Sequence, residues 1–279
     1  MSFATSQQIN KYLEAYKDVS VTFSKEIIEV LFFDVKQASV RASGGQWPCI
    51  LNSASMSGAK IICNKNSGLL KKISTQSFSN ASLRFSFFDS DSKEPISFFV
   101  TVRLVGVSDY QMDDLSLVTL AYTQRAPDAL IERLGRIIEA TVNAKRYAIE
   151  KIVLTDGIMR RIALSKKETV VFVEGVPRRC IIQNISFVGA TVYIMGVASF
   201  LKNKAVTLKF DFSDPDTVIA IKGRTVGAVP LEDRKDLVSL TIDYEMQSVP
   251  MNYKLYLNRY FELPKKLVAQ ETETQSIQN

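Results

Sequence analysis

One stretch of this chain is written twice, and that repetition constrains the fold more than any other feature. Cys49 to Ile61 and Cys180 to Val192 share the pattern CI[LI]xxxSxxGAx[IV]. Leu83 to Phe87 then matches Leu208 to Phe212, and Arg103 to Gly106 matches Arg224 to Gly227. Asp114, Leu115, Thr119 and Tyr122 match Asp236, Leu237, Thr241 and Tyr244, while Pro127, Leu134 and Arg136 match Pro250, Leu257 and Arg259. The offset between copies drifts from 131 to 121 and back to 123, changes no larger than a loop insertion. Order kept through every match argues for two copies of one fold, and 279 residues suffice for two domains of ordinary size.

Each copy carries short runs that alternate or are β-branched, punctuated by Gly, Asn, Asp and Ser. Strands are expected at 30–35, 49–53, 59–63, 96–105 and 115–122 in the first copy. In the second copy they are expected at 169–174, 179–185, 190–195, 205–212, 217–227 and 237–244. A helical stretch follows each set. At 127–141, Leu130, Ile131, Leu134, Ile137 and Ile138 share one face, and at 250–262 Tyr253, Leu257, Tyr260 and Phe261 do the same. A third helix at about 6–18 opens the chain with Ile9, Leu13 and Tyr16 as its buried stripe. The expectation is a mainly β protein: a first domain over 1–140, a linker over 141–152, a second domain over 153–263 and a polar, disordered tail over 264–279.

Composition narrows the chemistry. Histidine is absent, which removes Ser-His-Asp and Cys-His nucleophilic sites, His-ligated metals and the commonest general base. Cys49, Cys63 and Cys180 form no CxxC pair, so neither a disulfide framework nor a zinc ribbon is suggested, and a reducing cytoplasm fits best. The first residues lack the pattern of a signal peptide, and no apolar run approaches the roughly 18 residues that span a bilayer. No P-loop, GxGxxG, HExxH or EF-hand occurs, so no catalytic residue, metal ligand or cofactor is expected.

The net charge of +6 is unevenly placed. Residues 141–186 hold nine Lys or Arg (Lys145, Arg146, Lys151, Arg160, Arg161, Lys166, Lys167, Arg178 and Arg179) against Glu150, Asp156, Glu168 and Glu174. A short basic segment on a balanced protein suits a small polyanion better than a duplex, which meets a broad basic face. Beside that segment stands Asn184-Ile185-Ser186-Phe187-Val188-Gly189, where one apolar strand ends and another begins. Its plain reading is a hairpin in which Asn and Ser bond to the backbone and Gly supplies φ > 0. Trp47, Phe78, Phe85, Phe87 and Phe88 admit a base-stacking reading, but aromatics at strand spacing read first as core.

These residues resemble a known family, the PilZ domains, which are small antiparallel β-barrels that bind cyclic di-GMP. PilZ receptors carry [DN]xSxxG at a strand turn, and Asn184, Ser186 and Gly189 satisfy it, followed by Ala190-Thr191-Val192. The first copy is similar to a degenerate PilZ domain: Ser53 stands at the Asp/Asn position, while Ser55 and Gly58 remain. A degenerate copy ahead of a complete one is similar to the flagellar-brake type of PilZ protein, which regulates motility. The resemblance implies two antiparallel β-barrels, each followed by a helix, and a ligand site in the second.

The family's other signature, RxxxR ahead of the barrel, is missing. Arg146 has Glu150 four residues on, the next cation is Lys151, and Arg160-Arg161 offers a second pair nearer the turn. Paired guanidiniums grip phosphates bidentately and stack on guanine, whereas Lys is a point charge. The resemblance implies that Arg146, Lys151, Arg160 and Arg161 neutralise phosphates, Asn184 bonds a guanine edge, Ser186 adds a hydroxyl, and Gly189 admits a close approach. The function implied is a cyclic di-GMP receptor without catalytic activity that signals to a protein partner by ligand-driven domain rearrangement. Two alternatives stand beside it. One is a degenerate PilZ-type interaction module that does not bind the ligand. The other is single-stranded nucleic-acid binding through 141–186, which would show steep salt dependence.

Overall fold

The computed structural model describes residues 5–42, 44–75, 81–88, 95–110, 112–232 and 234–262. The chain divides into two compact units between Ile138 and Glu139. In the first, helix α1 (Ser6–Tyr16) is followed by β1 (Val21–Thr22), α2 (Lys25–Leu31), β2 (Ser39–Ala42), β3 (Gly45–Pro48), β4 (Ile50–Ala54) and β5 (Gly58–Asn64). Then come α3 (Gly68–Thr75), β6 (Ala81–Phe87), β7 (Ile96–Tyr110), β8 (Met112–Tyr122) and α4 (Asp128–Arg146), within which the division falls. The second unit continues with β9 (Ile152–Val153), α5 (Asp156–Arg161), β10 (Glu168–Val173), β11 (Val176–Ile185), β12 (Gly189–Met195) and α6 (Ala198–Leu201). It ends with β13 (Ala205–Ser213), β14 (Asp216–Leu231), β15 (Arg234–Tyr244) and α7 (Met251–Phe261).

Both units are antiparallel sheets in one topology. The second runs β10-β13-β14-β15-β12-β11, and β11 pairs back on β10, closing a six-stranded barrel with β9 added outside β11. The first runs β1-β4-β5-β8-β7-β6-β2-β3. There β3 and β4 together occupy the place of β11, and the ring is completed by the chain itself at Cys49, whose N–H donates to the Ala38 carbonyl (3.1 Å). Inward-facing positions recur at every second residue, as Leu208, Phe210 and Phe212 on β13 and Leu83, Phe85 and Phe87 on β6 show; all six are buried. Leu130 and Leu134 of α4 join the first core, Tyr253 and Leu257 of α7 the second, and all four are fully buried.

The duplication extends to irregularities. Asn52 and Gln183 bulge out of equivalent strands, and Val105 and Val226 do the same on β7 and β14. Bulges re-aim strands at barrel corners, so their retention preserves curvature. Two short helices repeat as well: α2 is capped by the Ser24 hydroxyl, which accepts from the Ile27 N–H, and α5 by that of Thr155, which accepts from Ile158.

Three sequence expectations shift. Residues 30–35 are not a strand: Ser24 starts a helix that runs to Leu31, Phe32 turns left-handed (φ 52°), and only Phe33 makes a β-bridge, to Phe87. The apolar run VLFF looks strand-like, but the hydroxyl cap three residues before Ile27 decides the local geometry. The buried residues of α1 are Ile9 and Tyr12 rather than Ile9, Leu13 and Tyr16. The stretch 141–152, read as linker, is helical as far as Arg146 because α4 continues through Ala140, Ala144 and Lys145, and Asn143 donates its amide to the buried Asn258 of α7 (2.8 Å). Phe78 and the tail over 264–279 lie outside the described residues. Phe85 and Phe87 are core, Trp47 is half-buried and Phe88 exposed. All three cysteines are buried free thiols.

Candidate functional site

The turn between β11 and β12 is held by two of its three motif residues. Ser186 donates its N–H to the Gly189 carbonyl (2.8 Å) and its hydroxyl to the same oxygen (3.1 Å), and accepts from the Val188 N–H (3.3 Å). Gly189 does not take the positive φ expected of it; glycine is required there because the strand lies so close to β15 that a Cβ would stand 2.4 Å from the Ile242 carbonyl oxygen. The first barrel repeats both: the Ser55 N–H and hydroxyl donate to the Gly58 carbonyl (2.8 and 3.3 Å), and a Cβ at Gly58 would meet the Leu120 carbonyl oxygen at 2.5 Å. Since the degenerate copy keeps them, the Ser and Gly serve the barrel in both.

Asn184 differs. It follows the bulge at Gln183, stands half-buried at the end of β11, and pairs in register with Thr191 on one side and Val153 on the other. Among the described residues its side-chain amide makes no hydrogen bond. Its counterpart Ser53 is buried.

The segment after α4 is tied to this turn by backbone. β9 pairs with β11 through Ile152–Ile185 and Val153–Asn184, and the Leu154 N–H donates to the Gln183 carbonyl (3.1 Å). Continuing that register sets Lys151 level with Ser186, on the strand face that carries Val153 and Asn184. Lys151 is exposed and has no carboxylate partner among the described residues. Arg146, the last residue of α4, is exposed, with its guanidinium over the Tyr147 ring at 5.3 Å. Tyr147 stacks on Phe261 of α7 (4.6 Å, 3° between planes), and Phe261 stacks on Phe187 of the turn (5.5 Å).

The two arginines of α5 diverge. Arg160 is exposed, its Nε donating to the Asp156 carbonyl of its own helix (3.3 Å). Arg161 is half-buried near Tyr260, together with Glu150 from the segment before β9. Burial raises the Tyr260 hydroxyl pKa first, the Glu150 carboxylate raises it further, and the Arg161 charge opposes them. Arg178 and Arg179 lie exposed on β11, paired with Val171 and Val170, as a solvated basic stretch.

Sequence reasoning missed Tyr147, Phe261 and Tyr253 as parts of this site. The Tyr253 hydroxyl donates to the Ser186 carbonyl (3.0 Å) and receives that of Tyr244 (3.4 Å), both side chains being fully enclosed. The equivalent of Tyr253 in the first barrel is Leu130, so this brace is confined to the second. Tyr253→Phe strands a buried carbonyl and a buried phenol, and is expected to lower the stability of the second barrel by about 1–3 kcal/mol. Urea unfolding followed by circular dichroism measures it; an unchanged midpoint would show that water satisfies both groups.

Among the described residues, no cluster of three or more Cys, Asp or Glu is placed to hold a metal ion, and no helix is long and apolar enough to cross a membrane.

Residues 7–141 match the PilZN3 domain. A protein of Treponema denticola described as "Cyclic di-GMP binding protein" is 51% identical over 268 residues, covering 95% of this chain and 85% of that protein. Among solved structures, the Borreliella burgdorferi PlzA protein in complex with c-di-GMP aligns at 20% identity over 92% of this chain and 99% of its own, with a TM-score of 0.42. YcgR from Escherichia coli in complex with c-di-GMP aligns at 12% identity over 89% and 93%, with a TM-score of 0.30. Because the Treponema likeness runs the length of both barrels, the chain belongs to the PilZ family, its first barrel being of the PilZN3 kind.

Proposed function

We propose that this chain is a cyclic di-GMP receptor whose second barrel holds the ligand and whose response is passed to a protein partner by domain rearrangement. The observation that carries the reading is Asn184: an uncommitted amide on the strand that pairs with the segment carrying Lys151, with Arg146 five residues earlier in the chain. Cyclic di-GMP offers what such a site needs, two phosphates for the cations and a guanine edge for an amide that both donates and accepts. The 51%-identical relative described as a cyclic di-GMP binding protein supports the same ligand.

The roles divide by chemistry. Asn184 reads the guanine edge, Arg146 and Lys151 neutralise phosphate, and Arg161, whose charge like that of Glu150 falls near Tyr260, supplies the guanidinium missing at position 150. Arg160 adds long-range positive potential. Ser186 and Gly189 shape the turn that presents Asn184, so their contribution to binding is the geometry of the backbone. The first barrel is not a second receptor in this reading: at the offset of the repeat, Ala15, Ser20 and Ser53 replace Arg146, Lys151 and Asn184. Contacts made only in the bound state provide the energy that changes the arrangement of the segment before β9, and with it the disposition of the barrels.

Calorimetric titration with cyclic di-GMP tests this, beside Asn184→Ala and a linear dinucleotide. Saturable binding is expected for the parent chain, with a loss of about tenfold or more in Asn184→Ala, since a site built to bond a polar edge discriminates strongly, and little heat from the linear control. A flat trace for the parent chain would overturn the reading and leave a PilZ-type module working through its protein surfaces.

A further inference from the structure

Phe187, Phe261, Tyr147 and Arg146 form a column of four layers drawn from three separate segments: the turn, the end of α7 and the end of α4. Phe187 is 1% exposed and cannot move without opening the core. Phe261 lies on it and is held from the side by Tyr260, whose ring meets it edge-on (5.0 Å, 87°). Tyr147 lies parallel to Phe261, so its plane is fixed by the turn that carries Asn184. The guanidinium at the end of the column is thereby referred to that same turn.

We infer that Tyr147 is a positioning residue for Arg146, holding the guanidinium ready for the anionic nucleotide; the inference rests on the receptor reading above. An exposed arginine ordinarily surrenders much of its side-chain freedom when it binds, which weakens the complex. A carboxylate would order it beforehand but would also compete for its charge. A ring orders it without neutralising it, since cation–π attraction leaves all five N–H donors free for phosphate and leaves a planar face for a purine. No carboxylate pairs with Arg146 among the described residues. This also bears on the missing RxxxR partner: one pre-oriented guanidinium recovers part of what a second arginine would contribute.

A double-mutant cycle read by calorimetry with cyclic di-GMP tests the role. Tyr147→Leu is expected to weaken binding about three- to tenfold, the range of a partly exposed cation–π contact, while Tyr147→Phe, which keeps the ring, binds within about twofold of the parent. In an Arg146→Gln background, titrated to high ligand concentration, Tyr147→Leu should have no further effect, because the ring acts only through the guanidinium. Parent-like binding by Tyr147→Leu overturns the inference. So does an equal loss in both backgrounds, which would mean that the ring supports the barrel generally. Thermal melting of each variant identifies a fold defect; should Tyr147→Leu show one, the exposed Arg146→Gln still bears on the inference, because parent-like binding by Arg146→Gln would leave the ring nothing to position and overturn it. Absence of binding by the parent chain removes the receptor reading itself, whereas parent binding with an indifferent Tyr147 removes only this inference.

Discussion

A Gly189→Ala variant is expected to lose at least about 3 kcal/mol of stability in the second barrel, enough to leave it unfolded if its margin is ordinary. The added Cβ would lie 2.4 Å from the Ile242 carbonyl oxygen, closer than real methyl contacts come. That oxygen is held, because it belongs to the backbone of β15, where Ile242 is paired with Ala190 of β12 next to Gly189 itself. Gly58→Ala should do the same to the first barrel through the Leu120 carbonyl at 2.5 Å. Gly106→Ala is the control: its Cβ would meet nothing within 4 Å, so it should be neutral or slightly stabilising. Trp47, the single tryptophan, reports the first barrel by fluorescence while circular dichroism reports both. Gly189→Ala should remove part of the dichroism transition and leave the tryptophan transition in place. An unaltered dichroism melt would show that β12 and β15 can part without cost.

Alkaline conditions are expected to unfold both barrels at a pH where exposed tyrosines would merely ionise. Burial pushes Cys49 and Cys180 up from 9.0 to about 12 and raises Tyr122, Tyr244 and Tyr253 above the ordinary tyrosine value of 10.0. These acids are neutral when protonated, so a raised pKa means that the folded chain keeps its protons longer than the unfolded chain. Below the unfolded values both states are protonated and stability is complete; above them the unfolded state sheds protons first, and stability falls until the folded value is passed. Each group removes about 1.4 kcal/mol per pH unit within its window. In the second barrel Cys180 acts from about pH 9, joined from about pH 10 by Tyr244 and Tyr253, giving a slope of about 4 kcal/mol per pH unit. The urea midpoint should therefore decline gently above pH 9 and steeply above pH 10, and Cys180→Ala should delay the onset for this barrel. Tyrosinate absorbance from the buried residues should appear together with loss of dichroism. Ionisation near the ordinary value with the fold intact would contradict the enclosure of these groups.

The motif at the turn shows how much of the site was legible in the chain. The motif resemblance makes Ser186 and Gly189 ligand contacts; the structure adds a hairpin role for both, since Ser55 and Gly58 make the same bonds and close approach in a copy without Asn184. The xSxxG part of the pattern is thus common to both barrels, whereas the Asn two before the serine stands only in the second. The repeat also foretold the shared topology, because sheet registers preserve the spacing of apolar residues. Helices α2 and α5 were overlooked since each is one or two turns long, too short for periodicity, and marked only by a hydroxyl cap. The column over Arg146 was beyond reach for a different reason. Tyr147, Phe187 and Phe261 are far apart along the chain, and each taken alone is an unremarkable apolar residue.

Helix α4 closes the first barrel with its early turns, which bury Leu130 and Leu134, and opens the second with its last ones, just as α1 opens the first and α7 closes the second. Two barrels accordingly use three such helices, and an array of n barrels on this plan would use n + 1, as a fence needs one post more than its panels. Lengthening the array requires only a barrel and one helix, inserted where an existing helix already ends one module and begins the next. Excising a barrel follows the opposite arithmetic: two neighbours would need the same helix, so a free-standing module must carry a post at each end.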